Sequence, residues 1–167
     1  FSKFPTSVIG PGETVRIPPG CENLDYEAEL GVVIGRKAVA VSEEEAMNHV
    51  FGYLNVNDVS ARDFQFGDGQ WQRGKSCDTF APMGPFIVTD LDPGDLQLSA
   101  RVNGVEAQSG STSDLLHPVP NIIEFVSSVL TLNPGDAIYT GTPGRPADLN
   151  PGDTVEIDIE GIGALTN

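Results

Sequence analysis

What most constrains this chain is its punctuation. Nineteen glycines and thirteen prolines fall between short apolar runs, and the Pro-Gly pair recurs in GPGE (10–13), DPGD (92–95), NPGD (133–136) and NPGD (150–153). Proline presets φ for the second residue of a type II turn, and glycine accepts the positive φ demanded of the third. Each turn is expected to lead into a β-rich run, as AIYTGT and TVEIDIEG follow the last two. Asn103-Gly104, between LQLSARV and VEAQS, is the strongest short-range hairpin signal a sequence carries. Chains broken this often cannot build long helices.

Only two segments read as helices. Residues 42–51 offer Ser42 as N-cap with Glu45 completing a capping box, and residues 120–130 place Ile122, Ile123, Val126 and Leu130 at helical spacing. The expected class is therefore α+β, predominantly β, and 167 residues form a single domain large enough to bury its own core. The tail, from residue 147 onward, reads as a closing strand pair. LNPGD occurs twice, at 132 and 149, but its flanks differ, so it reflects shared turn chemistry and not a repeat.

Charge and cysteines narrow the function classes. A formal net charge of −15 argues against nucleic acid or an anionic membrane as partner. No apolar run approaches the roughly 20 residues of a membrane helix. Cys21 and Cys77 lie far apart without a CxxC, which indicates neither a zinc site nor a disulfide framework. Reduced thiols and a cytoplasmic location are the expectation.

The stretch LDYEAELGVVIG (24–35) poses a sharper question. In a strand, Tyr26, Ala28, Leu30, Val32 and Ile34 share one face, while Glu27, Glu29 and Val33 share the other. Adjacent carboxylates repel unless water or a cation screens them, and Val33 argues against open water. The polar segment NVNDVSARDFQF (55–66) reads as neither surface helix nor clean strand, and its Asp58 offers a third carboxylate. Three oxygen ligands without His or Cys suit a hard cation such as Mg²⁺ or Mn²⁺, with Ca²⁺ also admissible; an exposed acidic face is the alternative.

Other signals lead nowhere. Gly69 to Ser76 satisfies the phosphate-loop expression G-x-x-x-x-G-K-[ST], but a polar stretch precedes it and Pro82 and Pro85 follow too soon for the required helix. There is no GxSxG nucleophile elbow, and His49 and His117 lack partner motifs, so both read as structural or surface residues.

Taken in order, DYEAELGVVIGR, GYLNVNDVSARDFQ, GKSCDTFAPMGPFIVT, VNGVEAQSG, LNPGDAIYTGTPG and VEIDIEGIGALTN resemble the fumarylacetoacetate hydrolase family over nearly the whole chain. The most specific pieces are the E-x-E strand, the N-D-x-x-x-R-D segment and PGD-x-I-x-TGTP. The resemblance implies a mixed β-sheet fold of the sandwich or roll kind with a few short helices, usually as a homodimer. It further implies metal ligation by Glu27, Glu29 and Asp58, and substrate contacts from Arg62, Gln65, Lys75 and Thr140, with Lys75 as the active-site lysine. Substrates would be small 2-oxo or β-dicarbonyl acids from aromatic-compound catabolism. Acylpyruvate or fumarylpyruvate hydrolysis is the preferred reaction. 2-Hydroxyhepta-2,4-diene-1,7-dioate isomerisation or 2-oxo diacid decarboxylation comes next, since all pass through a metal-stabilised enolate. Small members carry a His and a Glu, acting as general base, on a segment before F-x-K-P. Here FSKFP opens the chain, so either that lid segment is missing from this sequence or the base has been lost, and the rival reading is a non-catalytic metal- or small-molecule-binding domain.

Overall fold

The computed structural model describes residues 1–167. Its strands are β1 (Val8–Ile9), β2 (Leu24–Asp25), β3 (Ala28–Ile34), β4 (Val50–Asn57), β5 (Ser60–Ala61), β6 (Ala81–Val88), β7 (Gln97–Val102), β8 (Val105–Ser111), β9 (Ala137–Tyr139), β10 (Val155–Ile159) and β11 (Gly163–Thr166). The helices are short: α1 (Glu43–Ala46), α2 (Arg62–Gly67), α3 (Gln72–Lys75) and α4 (Val119–Ser127). A five-stranded mixed sheet, β1-β6-β4-β3-β9, faces a four-stranded antiparallel sheet, β11-β10-β7-β8, and β2 pairs with β5 as a small third ribbon. The predominantly β, α+β sandwich is the architecture expected.

The core lies between the two larger sheets. Leu30, Val32 and Ile34 of β3 meet Leu98 and Ala100 of β7 and Val155, Ile157 and Ile159 of β10, and Val119 and Ile123 of α4 close one side. Asn55 ties the layers together by donating to the carbonyls of Ile157 and Gly163 from a wholly buried position. β3 is buried along its whole length, flanked by β4 and β9. Its second face carries Glu29 with Val33, which packs with Leu54 and Val56, so the glutamate is enclosed by apolar neighbours.

The turn chemistry is largely as expected. Asn103 and Gly104 both take positive φ in the β7–β8 hairpin, and Gly135 and Gly152 take the positive φ of their NPGD turns before β9 and β10. DPGD differs. The Asp92 carboxylate accepts from the Gly94 amide at 3.0 Å, and this local bond winds Pro93–Asp95 into a 3₁₀ turn. GPGE turns at Gly12, but no strand follows it.

Four further expectations are corrected. The 42–51 helix ends early: α1 covers Glu43–Ala46, a 3₁₀ turn covers Met47–His49, and Val50 and Phe51 belong to β4 because pairing with β3 outweighs local helix propensity. Ser42 stands at the N-cap, but its side chain makes no capping bond, so the capping box does not form. α4 ends at Ser127, leaving Leu130 beyond it and exposed. Residues 55–66 resolve into the end of β4, then β5, then α2, so Arg62 opens a helix where no helix was expected.

Candidate metal centre

The register of β3 and β4 brings the acidic residues together. Ala28 pairs with Asn57, and the Asp58 amide donates to the Glu27 carbonyl at 3.0 Å, extending the ladder one residue past the strand. Glu27, Glu29 and Asp58 each turn one carboxylate oxygen into a common space in which all lie within 4.8 Å of one another.

Two helices then deliver the positive charge. Arg62 and Gln65 are one helical turn apart on α2 and hydrogen-bond at 2.8 Å. The Arg62 guanidinium also grips Asp25 at 2.7 Å through Nε and Glu27 Oε1 at 2.6 Å through Nη2. Lys75 reaches the site because α3 packs hard against α2 and β5. A Cβ at Gly74 would stand 2.6 Å from the Gln65 amide nitrogen and 2.8 Å from the Ala61 carbonyl. The Lys75 ammonium, almost wholly buried, donates to Asp58 Oδ2 at 2.7 Å and to Glu27 Oε2. α3 follows α2 and no buried strand, which removes the context a phosphate loop needs.

The three carboxylates differ in electrostatic standing. Burial alone would push Glu27 up, but Lys75 and Arg62 outweigh it and hold this carboxyl below its ordinary value. Burial pushes Asp58 up despite Lys3 and Lys75 beside it. Glu29 is extreme: 4% exposed and without an ion-pair partner of its own, it is pushed up to about 8 by burial first and then by Asp58 and Glu27. Only the Gly141 amide, donating to Oε2 at 2.7 Å, favours its charge directly. The Tyr139 hydroxyl, buried with no hydrogen-bond partner, is pushed up by burial and by Asp58 and Glu29. A buried acidic triad with one member lacking a counter-charge and a nearby orphaned hydroxyl fits a hard divalent cation.

Of the residues singled out from sequence, Glu27, Asp58, Arg62, Gln65 and Lys75 form one bonded cluster, and Glu29 turns a carboxylate oxygen into the same space without bonding to it. Thr140 lies beside it and not in it. β9 continues the pairing so that Gly141 bonds Glu29, while the Thr140 hydroxyl donates to the Leu30 carbonyl at 2.8 Å. Thr140 lines a cleft of about 400 Å³ with Leu30, Leu98, His117, Ile122 and Pro143. His49 is remote from the triad, its Nδ1 at 3.3 Å from the Arg36 carbonyl.

Sequence reasoning gave no role to Lys3, Asp25, Tyr139 and Gly141. Lys3 ion-pairs with Asp58 Oδ1 and donates to the carbonyls of Val59 at 3.0 Å and Phe80 at 2.8 Å. It lies within the FSKFP segment, and Tyr139 and Gly141 lie within the PGD-x-I-x-TGTP segment, so the signals were in view without a role attached.

This arrangement coincides with a full-length match of residues 1–167 to the model of the fumarylacetoacetate (FAA) hydrolase C-terminal domain. The chain belongs to the fumarylacetoacetate hydrolase family. Members of this family are enzymes. A solved structure of 5-carboxymethyl-2-hydroxymuconate delta-isomerase from Mycobacterium smegmatis is 48% identical with a TM-score of 0.98, covering 100% of this chain and 66% of that one. A 2-hydroxyhepta-2,4-diene-1,7-dioate isomerase from Mycobacterium marinum is 50% identical, with the same TM-score and coverage. The mitochondrial oxaloacetate tautomerase fahd2 of Xenopus laevis is 42% identical over 179 residues, covering 100% of this chain and 56% of the relative. The chain thus spans roughly half to two thirds of the length of these relatives. No helix is long and apolar enough to cross a membrane.

Proposed function

We propose that this chain is the metal-binding core of an enzyme that moves a proton at the carbon beside the 2-oxo group of a small 2-oxo or β-dicarbonyl acid. Glu27, Glu29 and Asp58 would hold Mg²⁺ or Mn²⁺. A divalent ion there supplies Lewis acidity toward a 2-oxo oxygen. Arg62 and Lys75 supply fixed positive charge for the substrate carboxylate, and Gln65 orients Arg62. The observation that carries the reading is Glu29, a buried carboxylate with no counter-cation in a triad already crowded with negative charge.

Charge balance supports the same substrate class. Asp25, Glu27, Glu29 and Asp58 face Lys3, Arg62 and Lys75. A divalent ion turns one surplus negative charge into one surplus positive charge, the complement of a monocarboxylate head. The printed names of the relatives, isomerases and a tautomerase, favour proton transfer as the reaction. Carbon–carbon hydrolysis of an acylpyruvate is the second reading, since it starts from the same enolisation and additionally needs an activated water. Exposed Phe51, Phe86 and Ile87 on neighbouring strands β4 and β6 support self-association as a homodimer.

The test is a panel of 2-oxo acids, oxaloacetate and acylpyruvates among them, followed by enol absorbance with Mg²⁺, with Mn²⁺ and with EDTA. EDTA-sensitive loss of the enol signal without carbon–carbon cleavage is the expected result. Full turnover in EDTA would overturn the assignment.

A further inference from the structure

Asp58 is met by two lysines whose seats differ. Lys3 Nζ spends two of its protons on the main-chain carbonyls of Val59 and Phe80, acceptors that cannot swing away. Lys75 Nζ has no acceptor except Glu27 Oε2 and Asp58 Oδ2, and its third side faces the Phe1 ring at 5.0 Å. It therefore bridges two of the three carboxylates whose oxygens converge. Each bridged carboxylate also has another cation, Arg62 for Glu27 and Lys3 for Asp58. Withdrawing Lys75 would leave neither of them bare.

We propose that Lys75 is an internal stand-in for the divalent ion, displaced from the Glu27–Asp58 bridge when the ion binds and so released for the substrate carboxylate. This rests on the metal reading above. A monovalent ammonium and a divalent ion compete for the same oxygens, so the free protein pays for ion binding by giving up two charge-assisted bonds. A displaced, buried ammonium needs a new anion. Ion and carboxylate substrate therefore bind cooperatively, each raising the affinity of the other by the same factor.

The consequence is unusual for a residue inside a binding site: removing it should improve binding. Lys75→Met should tighten Mn²⁺ binding, measured calorimetrically, by about tenfold or more, while Lys75→Arg, which keeps the charge, should not. Pyruvate should tighten Mn²⁺ binding to the unaltered chain and lose that effect in Lys75→Met. Circular dichroism and thermal melting in EDTA establish that the variants are folded. An independent measurement needs no variant: amine-reactive labelling of Lys75, read by mass spectrometry, should rise when Mn²⁺ is added. Unchanged or weaker Mn²⁺ binding by folded Lys75→Met, or, should that variant not fold, labelling that stays flat or falls, would overturn the proposal. Glu29→Gln separates the two claims. If it abolishes Mn²⁺ binding while Lys75→Met gives no tightening, the exchange fails and the metal site stands. If Glu29→Gln leaves Mn²⁺ affinity unchanged, the metal reading itself fails.

Discussion

Replacing Glu29 by glutamine should make the metal-free protein more stable at alkaline pH. In the folded chain this carboxyl is pushed from an ordinary 4.5 to about 8, chiefly by burial and then by Asp58 and Glu27. A folded-state pKa above the unfolded one means the folded chain holds the extra proton. Its contribution is fully present below pH 4.5 and is lost as pH rises toward 8. Each unit of that window removes roughly 1.4 kcal/mol, so the metal-free protein should lose about 5 kcal/mol across it. Glutamine cannot ionise, and it can still accept from the Gly141 amide. Shifted groups remote from Glu29 contribute equally to both proteins, so the difference between Glu29→Gln and the unaltered chain reads this residue together with its coupling to Asp58, Glu27 and Tyr139. Urea unfolding in EDTA between pH 5 and 9 reads it directly. The two stability curves should diverge with rising pH, and saturating Mn²⁺ should restore only the unaltered protein. Parallel curves in EDTA would refute the claim that Glu29 is buried without a counter-charge.

Three other outcomes follow from named contacts. Arg62→Met should destabilise the fold by about 3 kcal/mol in thermal or chemical unfolding, because it strands Asp25 without its ion-pair partner and leaves Glu27 with Lys75 alone, and it should raise KM for a 2-oxo acid in kinetic assays. Gly74→Ala should cost turnover more than stability, since the added carbon meets main-chain atoms of Ala61 and Gln65 that cannot yield and pushes Lys75 off its bridge; kcat and melting temperature measured together check this. Asn55→Leu should lower stability by about 2–4 kcal/mol by orphaning the carbonyls of Ile157 and Gly163, with little change in Mn²⁺ affinity.

How far the sequence could be read depended on the range of the interactions. Asn103-Gly104 and the two NPGD turns obey local φ requirements, and the structure keeps them. DPGD broke the pattern through an equally local competitor, the Asp92 side chain. The 42–51 helix was misjudged in length because Val50 pairs with Ile34 of β3 and carries Phe51 into the strand against their own propensity. Alternation in 24–35 revealed the paired glutamates, and Val33 on their face argued against open water; Val33, Leu54 and Val56 do enclose that face. Lys3 had no role in the reading because its contact with Asp58 spans 55 positions and no periodicity connects them. The Arg62, Gln65 and Lys75 assignments came from ordered segment resemblance, and the geometry now gives each a bonded partner.

The bond from the Gly141 amide to Glu29 joins positions 112 apart, and the contact of Lys3 with Asp58 closes a loop about half as long. Loops of that length must close before the contacts that reward them exist. During synthesis the acidic residues emerge long before residue 141 does, so the triad has no finished frame until most of the chain is available. Refolding should therefore be slow compared with helical proteins of this size, and added Mn²⁺ should stabilise the finished protein without accelerating its formation. On the proposed metal reading, loading would belong to the end of the folding reaction, not to its nucleus.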